Sequence, residues 1–157
     1  MNNSGLRRLV LPLVTIFLAL SIGEKDACAD SSPFVASVQK VSGRATVVRQ
    51  GQTVSAKVGL EIWENDTLRT GPDGSIGVVF NDDTLLSLGP ESVLVIDKFV
   101  FAPRQGKFSI VLRMLKGTAA YLSGLISKLA PESAFLETPS AYIGFRGTKC
   151  LVKIEGE

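Results

Sequence analysis

Four places in the sequence hold side chains whose types could do chemistry. Arg146 interrupts an apolar run beside Gly147 and Thr148, an embedded charge that could belong to a catalytic or ligand loop. Cys150, in the same run, offers a thiol. Asp82-Asp83 sets two carboxylates side by side, the beginning of a cation site. Trp63, the only tryptophan, offers a ring face for a sugar or another ligand. None of these develops into a catalytic set. The 157-residue chain has no histidine, which removes the commonest general base and the commonest metal ligand together. Asp82-Asp83 lacks further oxygen ligands at calcium-loop spacing, and turn formation already accounts for the pair. Cys150 reads as a small buried hydrophobe of the last strand. No carboxylate pair is singled out for glycoside hydrolysis, and no glycine-rich phosphate loop is present. The expectation is a protein that is not an enzyme and uses no cofactor or metal.

Composition narrows the partners. Apolar residues make up 45% of the chain and charged residues 20%, the balance of an ordinary globular domain. The length suits one domain. A net charge of +2 is too small to argue for nucleic acid or an anionic membrane surface. The aromatics are not interleaved with basic residues as a base-stacking platform requires. No nucleic-acid partner is expected.

The N-terminus reads as a targeting segment. Arg7 and Arg8 precede an apolar stretch over residues 9–23 in which only Thr15 and Ser21 are polar. Glu24, Lys25 and Asp26 end it, and Ala27-Cys28-Ala29 supplies an A-x-A site with cleavage before Asp30. The stretch is shorter than the roughly 20 residues of a bilayer span. Residues 1–29 are therefore expected to be a signal peptide and residues 30–157 the exported domain, periplasmic or secreted. The alternative is an uncleaved anchor, the only membrane contact expected. Lys25-Asp26-Ala27 does not match a lipobox. After cleavage Cys150 would be the sole thiol, which excludes an intramolecular disulfide.

These groups must be positioned by strands. Short alternating runs separated by turn signals recur from Pro33 onward, the pattern of a sandwich, roll or barrel. Asn65-Asp66 and Gly71-Pro72-Asp73-Gly74 read as turns, and Asn81-Asp82-Asp83 as the turn of a tight hairpin. Trp63 is expected to anchor the core or cover a sheet end. A strand from Phe108 is expected to close at Lys116-Gly117. Leu122, Leu125, Ile126 and Leu129 then fall at helical spacing, which predicts a short helix within 119–130, stopped by Pro131 and acting as a lid. Pro139 is expected to open a strand in which Ala141, Ile143 and Phe145 alternate. Arg146-Gly147 would form a bulge there, with Arg146 held by an ion pair or by backbone carbonyls. The fold class that follows is all-β: a single β-sandwich or β-roll of many short antiparallel strands with one short helix, preceded by a signal-peptide helix.

Several of these runs occur together in a specific order. Gly43 is followed by Val47-Val48-Arg49. Then come Gly59-Leu60-Glu61-Ile62-Trp63-Glu64-Asn65 and Asp66-Thr67-Leu68-Arg69-Thr70-Gly71. After them stand the hairpin from Val78 to Leu88, Leu115-Lys116-Gly117-Thr118-Ala119, and Thr138-Pro139-Ser140-Ala141 leading to Phe145-Arg146-Gly147-Thr148. In this combination the chain resembles the FecR domain of bacterial envelope proteins over nearly all of residues 35–153. It departs at Asp82-Asp83, where the family commonly has Asp-Gly. The resemblance implies a periplasmic all-β module that binds an envelope protein partner, of unknown identity, in sensing or signalling. In iron-signalling members this domain follows a cytoplasmic anti-sigma segment and a transmembrane helix. Here neither the anti-sigma segment nor that helix is found, as expected of a stand-alone exported FecR domain or of a fragment of a longer chain. The residues carried over as signature or interaction candidates are Thr138, Pro139, Arg146, Gly147 and Thr148, with Trp63 beside them. A cell-wall or carbohydrate-binding module, stacking sugars on Trp63 or Tyr142, is the competing expectation.

Overall fold

The alternating runs become twelve strands in a computed structural model that describes residues 34–147 and 149–155. The expected signal peptide, and Thr148 of the signature, lie outside the described residues. In chain order the strands are β1 (Ala36–Ser42), β2 (Ala45–Arg49), β3 (Gln52–Ser55), β4 (Glu61–Ile62), β5 (Thr67–Thr70), β6 (Ser75–Phe80), β7 (Leu85–Leu88) and β8 (Val93–Ala102). They continue with β9 (Lys107–Leu122), the helix α1 (Leu125–Leu129), β10 (Ala134–Glu137), β11 (Tyr142–Gly144) and β12 (Lys149–Ile154). The all-β expectation holds.

The sheet is organised by β9, which takes part in both of its halves. Its first part lies between β8 and β10, in a run ordered β3-β2-β5-β8-β9-β10-β11. Its last part lies between β7 and β12, in a run ordered β4-β1-β6-β7-β9-β12. Alternate residues of both runs point into one core. Ile110, Leu112 and Met114 enter it from the first part of β9, Ala119 and Tyr121 from the last, Leu94 and Ile96 from β8, and Val78 and Phe80 from β6. Burying one face of the inner strands against this common interior is the main stabilising term of such a sheet.

The change of partners along β9 falls at Gly117. Its φ is +98°, and a Cβ there would stand 2.2 Å from Ser92 Oγ. Only glycine allows the chain this turn of direction at such close approach. The register against β8 also shifts here, between Val93 and Leu94. Lys116-Gly117 therefore does not close the strand, as the sequence suggested. It bends the strand and sends it on as far as Leu122.

That continuation also corrects the bounds of the helix. Ala119–Leu122 belong to β9, with Ala119 and Tyr121 inward, and α1 spans only Leu125–Leu129. Of the apolar stripe, Ile126 is fully buried, while Leu122, Leu125 and Leu129 are exposed. A period-two strand ending in Leu122 and a single helical turn together imitate a longer helical stripe.

After α1 and a 3-10 turn at Pro131–Ser133 the chain has crossed back, so β10 lies parallel to β9 rather than antiparallel. A parallel neighbour needs a crossover connection, and this short helical segment supplies it. Pro139 does not open a strand. The Thr138 N–H donates to the Ala141 carbonyl (2.9 Å), and the Ala141 N–H donates to Thr138 Oγ1 (2.9 Å). Thr138 to Ala141 is thus the turn of the β10–β11 hairpin, with Pro139 at the second position, where its fixed φ belongs.

Candidate recognition site

The β11–β12 connection is pinned from within. Phe145 is buried and lies flat against Tyr121, with ring centroids 3.5 Å apart and planes 2° from parallel. Its N–H donates to the Ala134 carbonyl at 3.0 Å. The next residues leave the core. The Arg146 N–H donates to the Gly144 carbonyl (3.2 Å), and Ser123 Oγ donates to the Gly147 carbonyl. Gly147 has φ +132°, and a Cβ added there would meet nothing within 4 Å, so it serves backbone conformation rather than packing. The Arg146 side chain is exposed, and among the described residues it makes no ion pair or hydrogen bond. The ion pair or carbonyl contacts expected for it are not formed there. A buried Phe on one side and an anchored Gly on the other present a guanidinium to solvent.

Thr138-Pro139 and Arg146-Gly147 therefore mark opposite ends of one short hairpin. Between them the register pairs Glu137 with Tyr142. Tyr142 is 70% exposed and meets Phe135 edge-on. The charge of Glu137 pushes the Tyr142 phenol above its usual range. Glu137 also faces Arg113 Nε at 3.5 Å, and Arg113 reaches Asp97 at 2.7 Å. Burial pushes the Asp97 carboxyl up, against the pull of the Arg113 charge.

Trp63 belongs to a different cluster, at the β4–β5 turn. Asp66, almost fully buried, accepts Arg49 Nε at 2.9 Å and Arg49 Nη2 at 2.6 Å, and it also accepts the Trp63 N–H at 2.9 Å. Arg49 Nη2 donates further to the Glu61 carbonyl (2.7 Å), and the guanidinium carbon lies 5.4 Å from the Trp63 ring centre. The hydrogen bond to Asp66 pushes the Arg49 guanidinium further above its usual range. Glu64 ties the turn to β8 by accepting the Phe99 N–H at 3.0 Å. Trp63 is thus half-buried, outside the fully buried core, with Arg49 against its ring. A cleft of about 210 Å³ remains beside it, lined by Gln50, Glu64 and Asn65.

Two carboxylates prove more important than the sequence suggested. Asp66 is the first residue of the Asp-x-Leu-x-Thr-Gly run. In that run Thr70 Oγ1 also donates to the Gly89 carbonyl (2.7 Å) and accepts the Ser92 N–H (2.9 Å). Asp82 is fully buried. Its side chain accepts the Thr84 N–H at 3.1 Å, the Thr84 hydroxyl at 2.8 Å and the Ile126 N–H at 3.1 Å. Its carbonyl accepts the Leu125 N–H at 2.7 Å. Asp83 takes the left-handed backbone (φ 65°) that a glycine takes more cheaply. An Asp two residues before a Thr is a local turn signal; its distant partner on α1 has no signal in the sequence. Asp82 is therefore a structural carboxylate. Among the described residues no group of three or more Cys, Asp or Glu is arranged to hold a metal.

No curated protein and no solved structure matches the chain. The family model described as FecR protein matches residues 66–157, more than half of the sequence. That region covers the Asp66 run, the Asp82 hairpin, β9 with Gly117, and the Thr138-Pro139 to Arg146-Gly147 hairpin. The strands upstream of it, β1 to β4, pair directly with its strands β5 and β6 or with each other. Proteins of this family serve envelope sensing and signalling, in regulation rather than catalysis, and interact with other envelope proteins. From the ordered signature and the strands that carry it, the chain belongs to the FecR protein family.

Proposed function

We propose that this protein is a non-enzymatic FecR-type binding module of the periplasm, exported by residues 1–29, with residues 30–157 as the functional domain. Its recognition surface is the β10–β11 hairpin with the Phe145–Gly147 connection that follows it, and its partner is a protein of the envelope. The observation that carries this reading is the contrast among the signature residues. Asp66, Thr70, Asp82 and Thr138 are each consumed by internal hydrogen bonds. Arg146 by contrast is exposed and, among the described residues, makes no side-chain hydrogen bond or ion pair, on a connection fixed by Phe145. An arginine held out on a rigid base suits bidentate pairing with a carboxylate of a partner, at little entropic cost for the backbone. Among the described residues no helix is long and apolar enough to cross a membrane.

The test is crosslinking in intact cells followed by affinity capture of the tagged chain. A defined envelope protein should be recovered with the native chain and lost with Arg146→Ala. Recovery of peptidoglycan fragments and no protein would replace this reading with the carbohydrate-binding one. For that alternative Tyr142 keeps the more open ring, since Arg49 already lies against Trp63.

A further inference from the structure

The four sheet edges among the described residues are unequal. β4 has two residues, β11 three, and β3 four that are all exposed. β12 has six, and its only partner is β9. It contains no proline or glycine, and its pairing with β9 runs without a register shift. Its inward residues Cys150, Val152 and Ile154 are only partly buried against the core, and outward Leu151 is 68% exposed. Charge sits only on the outward face, at Lys149 and Lys153. Long regular edges are usually blocked by proline, a bulge or an inward charge. β12 has none of these and is guarded only by Lys149 and Lys153, so its edge is left open to a strand that sets carboxylates opposite those lysines.

We infer that the occupant is β12 of a second copy of this chain, paired antiparallel across a two-fold axis at Val152. Charge complementarity selects both the occupant and the register. The two copies must keep core face beside core face, because a slip of one residue would set inward Val152 beside outward Leu151. Only registers that pair positions of like parity remain. An axis at Leu151 sets Lys149 against the second copy's Lys153 twice, and an axis at Lys153 sets the two Lys153 side chains together. An axis at Cys150 leaves Lys153 opposite Gly147. An axis at Val152 sets Lys149 opposite Glu155 of the second copy at both ends. It pairs Cys150 with Ile154 and Val152 with Val152 on the inner face, and lays the Lys153 stem over Leu151. Glu155 is already drawn to this face by its 3.0 Å contact with Lys153 Nζ. Opposite charges directly across a strand pair stabilise it, and like charges oppose it. A single strand pair is smaller than the usual stable interface, so the dimer forms as concentration rises.

The experiment is sedimentation velocity on the protein expressed from its full coding sequence and purified as the cell processes it, from ~1 µM to ~1 mM. The native chain should shift from monomer to dimer across that range. Lys149→Glu or Glu155→Lys alone should weaken dimerisation about tenfold, and the two together should restore it, since each end then pairs Glu with Lys again. Both side chains are exposed, and circular dichroism of each variant checks the fold. Val152→Cys with Cys150→Ser should give a disulfide-linked dimer on mild oxidation, because directly opposed residues fall within disulfide reach. A monomer at every concentration overturns the inference, as does a dimer indifferent to the single charge reversals. Efficient Cys150–Cys150 crosslinking of the native chain would place the axis at Cys150 and overturn the register.

Discussion

The Ile126 N–H donates to Asp82 Oδ2 at 3.1 Å, joining the turn of the β6–β7 hairpin to the first turn of α1 across 44 residues of chain. With the Leu125 N–H on the Asp82 carbonyl, one aspartate satisfies two of the donors that a helix start leaves open. The crossover from β9 to β10, and with it the hairpin that carries Arg146, follows from where this helix docks.

Asp82→Ala should therefore destabilise the protein by about 3 kcal/mol, since it strands the Ile126 N–H and the Thr84 N–H and hydroxyl in a dry site. Asp82→Asn, which keeps an acceptor, should cost less. Urea denaturation followed by the fluorescence of Trp63 measures both. Equal midpoints for Asp82→Ala and the native chain would remove Asp82 from this role.

Arg49→Ala leaves the Asp66 carboxylate buried with only the Trp63 N–H. Breaking such a pair costs about 3 kcal/mol, at the low end of the buried range because Arg49 is one-third exposed. Arg49→Lys keeps the charge but loses the fork that reaches Asp66 and the Glu61 carbonyl together, so it should fall between. Trp63 emission should change with both variants. An unchanged spectrum in Arg49→Ala would contradict the packing of the guanidinium on the ring.

Gly117→Ala and Gly147→Ala separate two uses of glycine. At Gly117 the new methyl meets Ser92 on top of an unfavourable φ, and the two costs together come to about 2–6 kcal/mol. At Gly147 space is open, and only the backbone term of about 1–3 kcal/mol applies. Thermal midpoints should fall much further for Gly117→Ala; the reverse order would refute the bend assigned to β9.

Stability in acid should carry the mark of Asp97. Its folded pKa is raised by burial, so the folded chain holds this proton more tightly than the unfolded chain. The contribution is full below the unfolded value, about 3.9, and is lost as pH climbs through the raised folded value. Asp97→Asn lacks this term. The stability of the native chain relative to Asp97→Asn should therefore decline over that window and then level off. A difference that grows with rising pH would reverse the sign and contradict the burial argument.

Much of the β architecture is legible in local pattern. Alternation marks most of the strands, and Asn65-Asp66, Gly71-Pro72-Asp73-Gly74 and Asn81-Asp82-Asp83 mark turns where turns occur. The departures share one physical cause: the meaning of a residue is set by a neighbour far away in sequence. Gly117 looks like a stop, yet β9 uses its positive φ to pass Ser92 and continue. Leu122 fits a helical stripe, yet its strand partners Leu85 and Lys149 hold it extended. Thr138 reads as lead-in to a strand, because its bond to Ala141 competes with extended geometry only once β10 and β11 are paired. Arg146 looks like a residue needing internal partners because it sits in an apolar run. Phe145 stacking on Tyr121, which turns the chain outward, is a contact no spacing announces. The same is true of Asp82, whose turn is local and whose helix is distant.

On the proposed reading Arg146 is held out for recognition and does not support the fold. Two measurements on Arg146→Ala separate these roles: its thermal midpoint, and its capture of the envelope protein recovered by crosslinking the native chain. The midpoint should stay within about 1 °C of native, as for a surface substitution, while capture is lost. A large fall in midpoint, or full capture by the variant, would contradict that reading.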